Sequence, residues 1–377
     1  MQGIALSWLV YRLTHSAILM GTVGFCSQIP VLLLSPIGGL AADRYSRRAI
    51  ILIAQTLMLL QAVALAVLTY TDRITVPYIV ALALLMGTLN AFEIPARQSL
   101  YVHMVGKEDL PNAIALNSMT FNAARVVGPS MGGFLVAALG EALCFAMNAV
   151  SFMAVIAAFV AMRAQPSPER AESSPLLHLR QGFQYAWNHR PVRELLLLTA
   201  LMNFASAPAS MLAPIFADAI FHKGSQGLGL LSGMFGAGAV VGTIALASRA
   251  ETRGLSRIVW ISAVGVATGL AVYSVAPAYP VLLAAMAVCG FFIMRQLAAT
   301  NALIQSTIGD HYRGRIMAIY SMNVIGMLPI GNLAGGAAAQ LIGARATVFL
   351  GAAIVLAAAI NFHRHRMAVE QALASTA

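Results

Sequence analysis

The stretch GLAADRYSRR, which begins at Gly39, combines one acid with three arginines: Asp43 is followed by Arg44, Arg47 and Arg48. Apolar runs of helix length flank it on both sides. Carboxylates are costly at the level of a membrane, and a loop that needed only positive charge would carry no acid there. The pattern favours a carboxylate with a specific partner; the alternative is a plain basic loop between two membrane helices.

No motif for covalent or metal-assisted catalysis accompanies these charges. The sequence lacks HExxH, a GxGxxG motif opening a soluble unit, and a Walker A lysine. Each of the three cysteines (Cys26, Cys144 and Cys289) falls inside an apolar run, which favours packing over disulfides. We predict that the protein is not an enzyme and needs no cofactor or metal ion.

The composition requires a lipid bilayer around most of the chain. Of the 377 residues, 59% are hydrophobic and only 10% are charged, whereas soluble domains carry about 25% charged residues. The net charge of +10 does not indicate nucleic-acid binding, because the basic residues lie in short links between apolar runs. Since helices satisfy their own backbone hydrogen bonds, we expect an all-α membrane protein.

Eleven apolar runs are long enough to cross a membrane about 30 Å thick as helices. A twelfth run, at residues 1–14, is too short, so we expect the chain to begin inside its first helix. No positively charged segment precedes this run, as a cleavable signal peptide would require. The predicted spans are 16–40, 49–70, 77–97, 112–139, 142–163, 193–217, 228–248, 258–276, 280–303, 315–341 and 344–362.

A polar stretch divides the chain near its middle. It opens with AQPSPERAESSP, a composition typical of linkers, and continues with apolar residues at helical spacing, among them Phe183 and Trp187. Such an amphipathic helix suits the membrane surface. The predicted domains are an N-terminal transmembrane half at 1–163, the linker at 164–192, a C-terminal transmembrane half at 193–362 and a tail at 363–377.

A shift of 203 residues relates the two halves. Of the eleven first-half glycines that can have a counterpart, nine coincide with a glycine. Glycine is 19 of the 189 residues from position 189 on, so chance predicts only about one match. Six spans separate equivalent helices, so both halves have the same orientation in the membrane, as parallel repeats do.

Basic residues predict the orientation. If the loop after Gly39 is cytoplasmic, 17 of the 23 lysines and arginines lie inside, four lie outside, and Arg125 and Arg295 lie within spans. This asymmetry predicts a multi-pass protein of the cell (inner or plasma) membrane with a cytoplasmic C-terminus.

Two six-helix halves, a central linker and the GLAADRYSRR stretch resemble the major facilitator superfamily over essentially the whole chain. Gly39, Asp43 and the arginines match its best-known motif, whereas Ala41 and Ser46 depart from it. The resemblance implies the major facilitator fold, here with eleven full spans and a partial first helix. It also implies that Asp43 meets the start of the eleventh helix, near residues 312–317, only when the cytoplasmic side is closed, and so favours the outward-open state.

Gly128, Pro129, Gly132 and Gly133 in the fifth span resemble the GPxxGG motif of drug/proton antiporters. Proline removes a backbone hydrogen bond and bends a helix, while adjacent glycines let a neighbouring helix approach closely. We expect a helix bend and a tight seam here; ordinary packing of small residues is the alternative.

Three further charged residues are candidates for a function. The resemblance implies that Glu93 pairs with the loop arginines, Arg47 among them; a carboxylate that reaches the membrane surface is the alternative. Glu93 is also the best-placed acid for proton coupling. Arg125 and Arg295 lie deep in their spans, where each could attract an anionic substrate or pair with polar neighbours such as Asn122 or Gln296. We expect pairing for Arg125 and a position on the substrate path for Arg295.

The family arrangement places helices 1, 4, 7 and 10 around a central cavity. A largely apolar cavity with a few polar groups suits bulky amphipathic cargo, although methionines and aromatics at helical spacing are also typical of packing. The candidate lining residues are Trp8, Tyr11, Asn90, Asn203, Met294, Arg295 and Asn301.

The runs NAFEIPARQSL and GKEDLPNAIALNSMTFNAARVVGPSMGG resemble the enterobactin-exporter-like branch. The resemblance implies a secondary transporter that exports a siderophore-like or drug-like small molecule in exchange for protons by alternating access. We expect it to act as a monomer. The alternatives are a facilitator or importer of another solute, or a truncated membrane protein that transports nothing because its first helix is incomplete.

Overall fold

The protein is helical throughout the part of the chain that the computed structural model describes. Ten helices there are long and apolar enough to cross a membrane, which confirms the predicted all-α membrane fold. The described residues are 1–104, 110–162, 175–248, 254–308 and 310–374, with side chains described outside 101–123, 125–126, 129–130, 175–181, 310–311 and 367–374.

The first half begins with a short helix, as predicted. Its first four helices are α1 (Gln2–Thr14), α2 (Ala17–Arg44), α3 (Arg47–Tyr70) and α4 (Val76–Met104). Ser46, one of the two departures from the family motif, is the N-cap of α3, and its hydroxyl accepts a hydrogen bond from the N–H of Ala49 at 3.4 Å. The serine therefore satisfies a helix-end donor that a glycine would leave free.

One glycine divides the longest helical segment. The segment α5 (Leu110–Ala161) contains 52 residues, which would extend about 78 Å as a straight helix, more than twice the membrane thickness. It breaks at Gly140, whose φ of 80° and ψ of 169° only glycine adopts without strain. The break falls between the predicted spans 112–139 and 142–163.

The second half repeats this plan. Gly343, 203 residues after Gly140, has a φ of 82° and separates the last two helices. The structural repeat thus follows the glycine repeat in the sequence. The elements of this part are α6 (Pro175–Asn188), α7 (Arg190–Met211), a π-helix (Ile215–Ile220), α8 (Gly224–Ala247), α9 (Leu255–Val275), α10 (Tyr279–Thr307), α11 (Asp310–Ile342) and α12 (Ala344–Ala374).

Two predicted boundaries differ from the structure. The span predicted at 193–217 ends as an α-helix at Met211, and the π-helix continues it, because Pro208 and Pro214 interrupt regular α-helical hydrogen bonding. The tail predicted from residue 363 is instead a continuation of α12 to Ala374. Of the predicted linker, residues 164–174 lie outside the described residues.

The two halves meet along two helix pairs, α2 with α11 and α5 with α8. We call the end of the bundle that carries the Asp43–Arg48 loop and the start of α11 the motif end. The other end, which carries the end of α1 and the π-helix, is the opposite end.

The amphipathic helix α6 packs at the motif end. Tyr185 of α6 stacks between His189 and Tyr312, with ring centroids 4.3 Å apart on each side. Burial, together with the neighbouring Tyr312, raises the pKa of Tyr185 above its usual value, so the phenol stays neutral. Gly182 lies against Arg315 and Ile319, and α6 is thereby fixed to the first turns of α11.

Candidate functional site

A cavity of about 800 Å³ lies between the two halves in the middle of the bundle. Its walls come from both halves, since α1, α2, α7, α10 and α11 all contribute. None of the described residues that line it carries a charge. Its polar lining residues are Gln2, Ser7, Ser27, Gln28, Gln61, Asn203, Ser206, Ser210 and Asn332.

Hydrogen bonds hold part of this polar lining in place. Gln2 donates to the side-chain oxygen of Gln61 at 2.9 Å and accepts from Asn148 at 2.6 Å, so one chain of amides joins α1, α3 and α5. Gln61 also donates to the carbonyl of Leu82 at 3.3 Å. Amides fixed in this way present defined donors and acceptors to a bound molecule, in a cavity that is otherwise largely apolar.

Glycines bring the halves into backbone contact at the opposite end. A Cβ on Gly21 of α2 would lie 2.5 Å from the carbonyl oxygen of Asn332 and 3.1 Å from the Cα of Gly336, both on α11. A Cβ on Gly133 of α5 would collide with the backbone of Gly229 on α8. We call these two contacts the glycine seam. Neither pair of helices could approach this closely with larger residues.

A side-chain hydrogen bond joins the halves at the same end. The hydroxyl of Tyr11 on α1 donates to a carboxylate oxygen of Asp218 in the π-helix at 2.9 Å. His15 lies edge-on to the Tyr11 ring, at 5.1 Å between centroids. Nearby, Arg12 forms an ion pair with Glu141 at 2.8 Å within the first half. The opposite end is thus closed by both polar contacts and the glycine seam.

At the motif end, Arg47 and Arg48 form contacts within their own half rather than between the halves. Arg48 donates to the carbonyls of Phe159 and Val160 at 2.9 and 2.8 Å, and the buried Arg47 reaches the carbonyl of Ala42 at 3.4 Å. Both arginines therefore bind the backbone of their own half. Asp43 and Arg44 are exposed, and no described residue forms a hydrogen bond or ion pair with either side chain. None of the described side chains at the start of α11, from Tyr312 on, forms a hydrogen bond or ion pair with Asp43 in this conformation, so the predicted contact stays a prediction.

Glu93 has different partners from those expected. It is 2% exposed, forms an ion pair with Arg97 at 3.2 Å, and accepts a hydrogen bond from Gln55 at 3.3 Å. The expected pair with Arg47 does not form, because Arg97 lies one helical turn away on the same face of α4. Burial also excludes the alternative of a carboxylate at the membrane surface. The result is a buried acid that bridges α3 and α4.

Of the seven candidate lining residues, Asn203 and Met294 line the 800 Å³ cavity. Tyr11 joins the halves at the opposite end instead, and Trp8 packs against it, with ring centroids 5.6 Å apart. Asn90 is half-buried, and Asn301 accepts a hydrogen bond from Gln305; neither lines this cavity.

Arg295 lies deep in α10, next to the lining residue Met294, but does not itself line the cavity. Its guanidinium carbon is 5.7 Å from the centroid of the Phe291 ring. Its buried Nε has no hydrogen-bond partner among the described residues, and Gln296 bonds to Thr199 and Thr300 rather than to Arg295. An intramembrane guanidinium with an unused donor is a candidate contact for an anion.

Two glycines of the GPxxGG-like motif face different helices. Gly132 lies against α1, where an added Cβ would be 3.1 Å from the Cα of Met1, and Gly133 lies against α8 of the other half. Among the described residues, an added Cβ on Gly128 would come within 4 Å only of the backbone nitrogen of Met1, at 3.9 Å. The side chains of Pro129 and Arg125 lie outside the described residues. The expected tight seam thus involves Gly133, while the expected bend at Pro129 stays a prediction.

The sequence alone does not predict the Tyr11–Asp218 bond. Asp218 lies at the end of an apolar run, and 207 residues separate it from Tyr11. The available signals were Pro214, which ends the regular helix, and an acid just beyond it. Without the packing of the two halves, neither signal identifies a partner.

Comparison with known proteins agrees with this architecture. The family model described as transmembrane secretion effector, of the major facilitator type, matches residues 1–377. Among solved structures, a bacterial homologue of the iron transporter ferroportin in an inward-facing state has a TM-score of 0.72 at 16% identity. The match covers 97% of this chain and 95% of that one, which shows that the fold is shared.

Curated relatives are similar over most of their length. The staphyloferrin A transporter of Staphylococcus aureus is 24% identical, over 90% of this chain and 85% of its own. The multidrug efflux pump Tap of Mycolicibacterium fortuitum is 26% identical, over 91% and 86%. The enterobactin exporter EntS of Citrobacter koseri is 24% identical, over 90% and 81%.

The predicted family is therefore confirmed by the helix arrangement, the duplicated halves and the full-length family match, and the chain belongs to the transmembrane secretion effectors of the major facilitator superfamily.

Proposed function

We propose that this secondary transporter exports a small amphipathic molecule, siderophore-like or drug-like, in exchange for protons by alternating access. The motif end faces the cytoplasm, as the distribution of basic residues indicates. The observation that carries the proposal is an uncharged cavity between two halves that touch each other at the opposite end.

The size and chemistry of the cavity support the substrate class. A volume of about 800 Å³ is in the range of sites for drug-sized ligands. Methionines, phenylalanine and fixed amides in its walls suit a molecule with both apolar and hydrogen-bonding parts. The relatives are a staphyloferrin A transporter, a multidrug efflux pump and an enterobactin exporter, which points to cargo of this kind.

Arg295 supplies the contact for acidic groups of the cargo. Its unused Nε donor lies one residue from the cavity wall, and a rotation of its long side chain brings the guanidinium to bound cargo. Arg295→Gln should raise the KM for an anionic substrate more than that for a neutral one, and Arg295→Lys should retain part of this selectivity. Equal KM changes for the two substrates would show that Arg295 does not contact the acidic groups of the substrate.

Asp43 acts as the gate of the cytoplasmic side. It is exposed and has no partner among the described residues in this conformation, and it meets the N-terminus of α11 when that side closes. A carboxylate at a helix N-terminus is stabilised by about 0.3–1 kcal/mol, and by more when partly buried. The contact therefore stabilises the outward-open state, in which cargo leaves.

Everted membrane vesicles test the export function. An imposed proton gradient should drive accumulation of an amphipathic substrate by the wild-type protein, and Asp43→Asn should slow it several-fold. Asp72→Asn is the matched control, since Asp72 is an exposed acid at the opposite end in the left-handed region that asparagine also tolerates. Accumulation without any gradient would indicate a facilitator, and no accumulation of any compound would contradict transport.

Glu93 carries the coupled proton. It is a buried acid whose partners Arg97 and Gln55 can retain a hydrogen bond in either protonation state. Glu93→Gln should abolish the dependence of uptake on the pH gradient while downhill exchange continues. Glu141→Gln, which also alters a buried acid with one arginine partner, should retain the dependence. Unchanged coupling in Glu93→Gln would exclude this role.

A further inference from the structure

A second, smaller groove of about 320 Å³ lies at the motif end, outside the central cavity. Helices α6, α7 and α11 form its walls, and Leu32 of α2 contributes at one edge. Apart from Arg193 and Asn323, the residues that line it are apolar or glycine. Phe183 and Trp187 at its rim are 54% and 64% exposed, respectively, so aromatic surface at this rim is left uncovered by the described residues.

The groove faces away from the substrate path. The α11 residues that line the groove include Ile319, Asn323, Gly326 and Ile330. The α11 residues that line the central cavity, Leu328 among them, are different ones. At 3.6 residues per turn, the two sets lie on opposite sides of the helix. The groove is therefore on the outer surface of the bundle, where acyl chains surround a membrane protein.

The length and direction of the groove suit an acyl chain. Its residues extend from Arg193 to Ala200 on α7 and from Ile319 to Ile330 on α11, which corresponds to about 10 Å and 16 Å at 1.5 Å per residue. Half of a hydrocarbon core about 30 Å thick is similar in length. Because both helices cross the membrane, the groove runs from the membrane surface towards the middle of the bilayer.

The positively charged side chain of Arg193 lies at the surface end of the groove. Arg193 lies with its guanidinium carbon 5.8 Å from the Trp187 ring centroid and donates to the Trp187 carbonyl at 3.4 Å. Among the described residues, its only acidic contact is Glu194 at 3.7 Å, which His365 and Asn361 share. A guanidinium has five N–H donors, so several remain for a phosphate. Tryptophan is the residue expected at headgroup level.

We propose that this groove binds an anionic phospholipid of the surrounding leaflet, with one acyl chain along α7 and α11 and the phosphate at Arg193. The apolar walls, the length and the single cation at the surface end together define this occupant. A cationic site between transmembrane helices at the membrane surface is the type of site that retains acidic lipids. The bound lipid would hold α6 against the start of α11.

Fluorescence of Trp187 tests the proposal. Trp8→Phe and Trp260→Phe leave Trp187 as the single tryptophan of the full-length chain. The protein is reconstituted in phosphatidylethanolamine with increasing fractions of phosphatidylglycerol or phosphatidylcholine carrying identical brominated chains, which quench tryptophan on contact. If one guanidinium contacts the headgroup, we expect phosphatidylglycerol to reach half-maximal quenching at a lipid fraction about fivefold lower than phosphatidylcholine does.

Three variants separate the parts of the site. Arg193→Gln should abolish the preference for the anionic lipid, whereas Arg190→Gln, at an exposed arginine outside the groove, should keep it. Ala200→Phe should fill the groove and lower quenching by both lipids. If a variant does not fold, native mass spectrometry of the wild-type protein should still show phosphatidylglycerol retained over phosphatidylcholine.

Equal quenching by the two lipids in the parent protein would overturn the proposal, and so would a preference that survives Arg193→Gln. Relief of quenching by an amphipathic transport substrate, without any lipid preference, would identify the groove as a substrate entry path instead. None of these outcomes depends on transport activity, so the proposed export function can fail while the lipid site stands.

Discussion

Glycines on equivalent helices distinguish the two ends of the bundle. At the opposite end, Gly21 of α2 meets α11 of the other half, whereas Gly38 at the motif end meets Ala91 on α4 of its own half. In the second half, Gly242 towards the motif end likewise meets Phe291 on α10 of its own half. These glycines thus join helices within each half at the motif end, whereas Gly21 joins the two halves at the opposite end.

Under the proposed alternating access, this difference separates contacts that can persist from contacts that must break. Contacts within a half can persist while the halves rock, but contacts between halves must break for the opposite end to open. Asp43 has no partner among the described residues, whereas Tyr11 and Asp218 are bonded at the opposite end. The account therefore predicts opposite responses to changes at the two ends. Reaction of Ser210→Cys, a cavity position, with an impermeant maleimide added outside cells reports how often the opposite end opens.

Gly133→Leu should have the largest effect. Its side chain would collide with the backbone of Gly229, which cannot move aside as a flexible side chain can. Overpacking of this kind costs about 1–3 kcal/mol or more, and we expect labelling of Ser210→Cys to accelerate roughly tenfold or more. Ala138→Leu, at an exposed position on the same segment, is the control. An unchanged labelling rate in Gly133→Leu would show that the glycine seam does not hold this end closed.

Tyr11→Phe and Asp218→Ala should have a smaller effect in the same direction. Loss of this hydrogen bond costs about 1 kcal/mol. The cost is this small because Asp218 is only half-buried, so solvent screens the interaction. We expect labelling to accelerate about fivefold, with the double variant close to either single variant because both remove one interaction. Tyr70→Phe, at a tyrosine 82% exposed near the same end, should change nothing. Additive effects of the two substitutions would mean that the residues act independently.

Gly39→Leu should have the smallest effect, with the opposite sign. An added Cβ at Gly39 meets no described atom within 4 Å, so this conformation tolerates it. Closure of the motif end brings α11 towards this position, and a leucine would hinder it. We expect labelling of Ser210→Cys to slow a few-fold, while Ala49→Leu, exposed at the start of α3, leaves it unchanged. Faster labelling in Gly39→Leu would contradict the assignment of the gate.

The sequence predicts the fold because its strongest signals are local or repeated. Apolar runs of helix length locate the spans, and the offset of 203 residues pairs Gly140 with Gly343, both of which have positive φ. Basic residues and the GLAADRYSRR stretch identify the motif end. Each of these signals depends on a few neighbouring residues or on a simple count.

The candidate site is harder to predict because its partners are distant in sequence and its helices are apolar on most faces. The sequence predicts that Tyr11 lines the cavity, yet it bonds to Asp218 in the other half. The family resemblance predicts a pair between Glu93 and Arg47, whereas Glu93 pairs with Arg97 one turn away on the same helix. The amides Gln2, Gln28 and Gln61 line the cavity, but spacing alone does not show which face of each helix points inwards.

Distances across both ends of one protein test the rocking motion most directly. In a background with the three cysteines replaced by alanine, spin labels at Arg73→Cys and Ala278→Cys report the opposite end, and labels at Tyr45→Cys and Ser306→Cys report the motif end. All four positions are exposed, and each pair joins the two halves. Pulsed electron paramagnetic resonance should show that Gly133→Leu lengthens the first distance and shortens the second. A longer first distance with the second unchanged or also longer would contradict two rigid halves that rock about a central cavity.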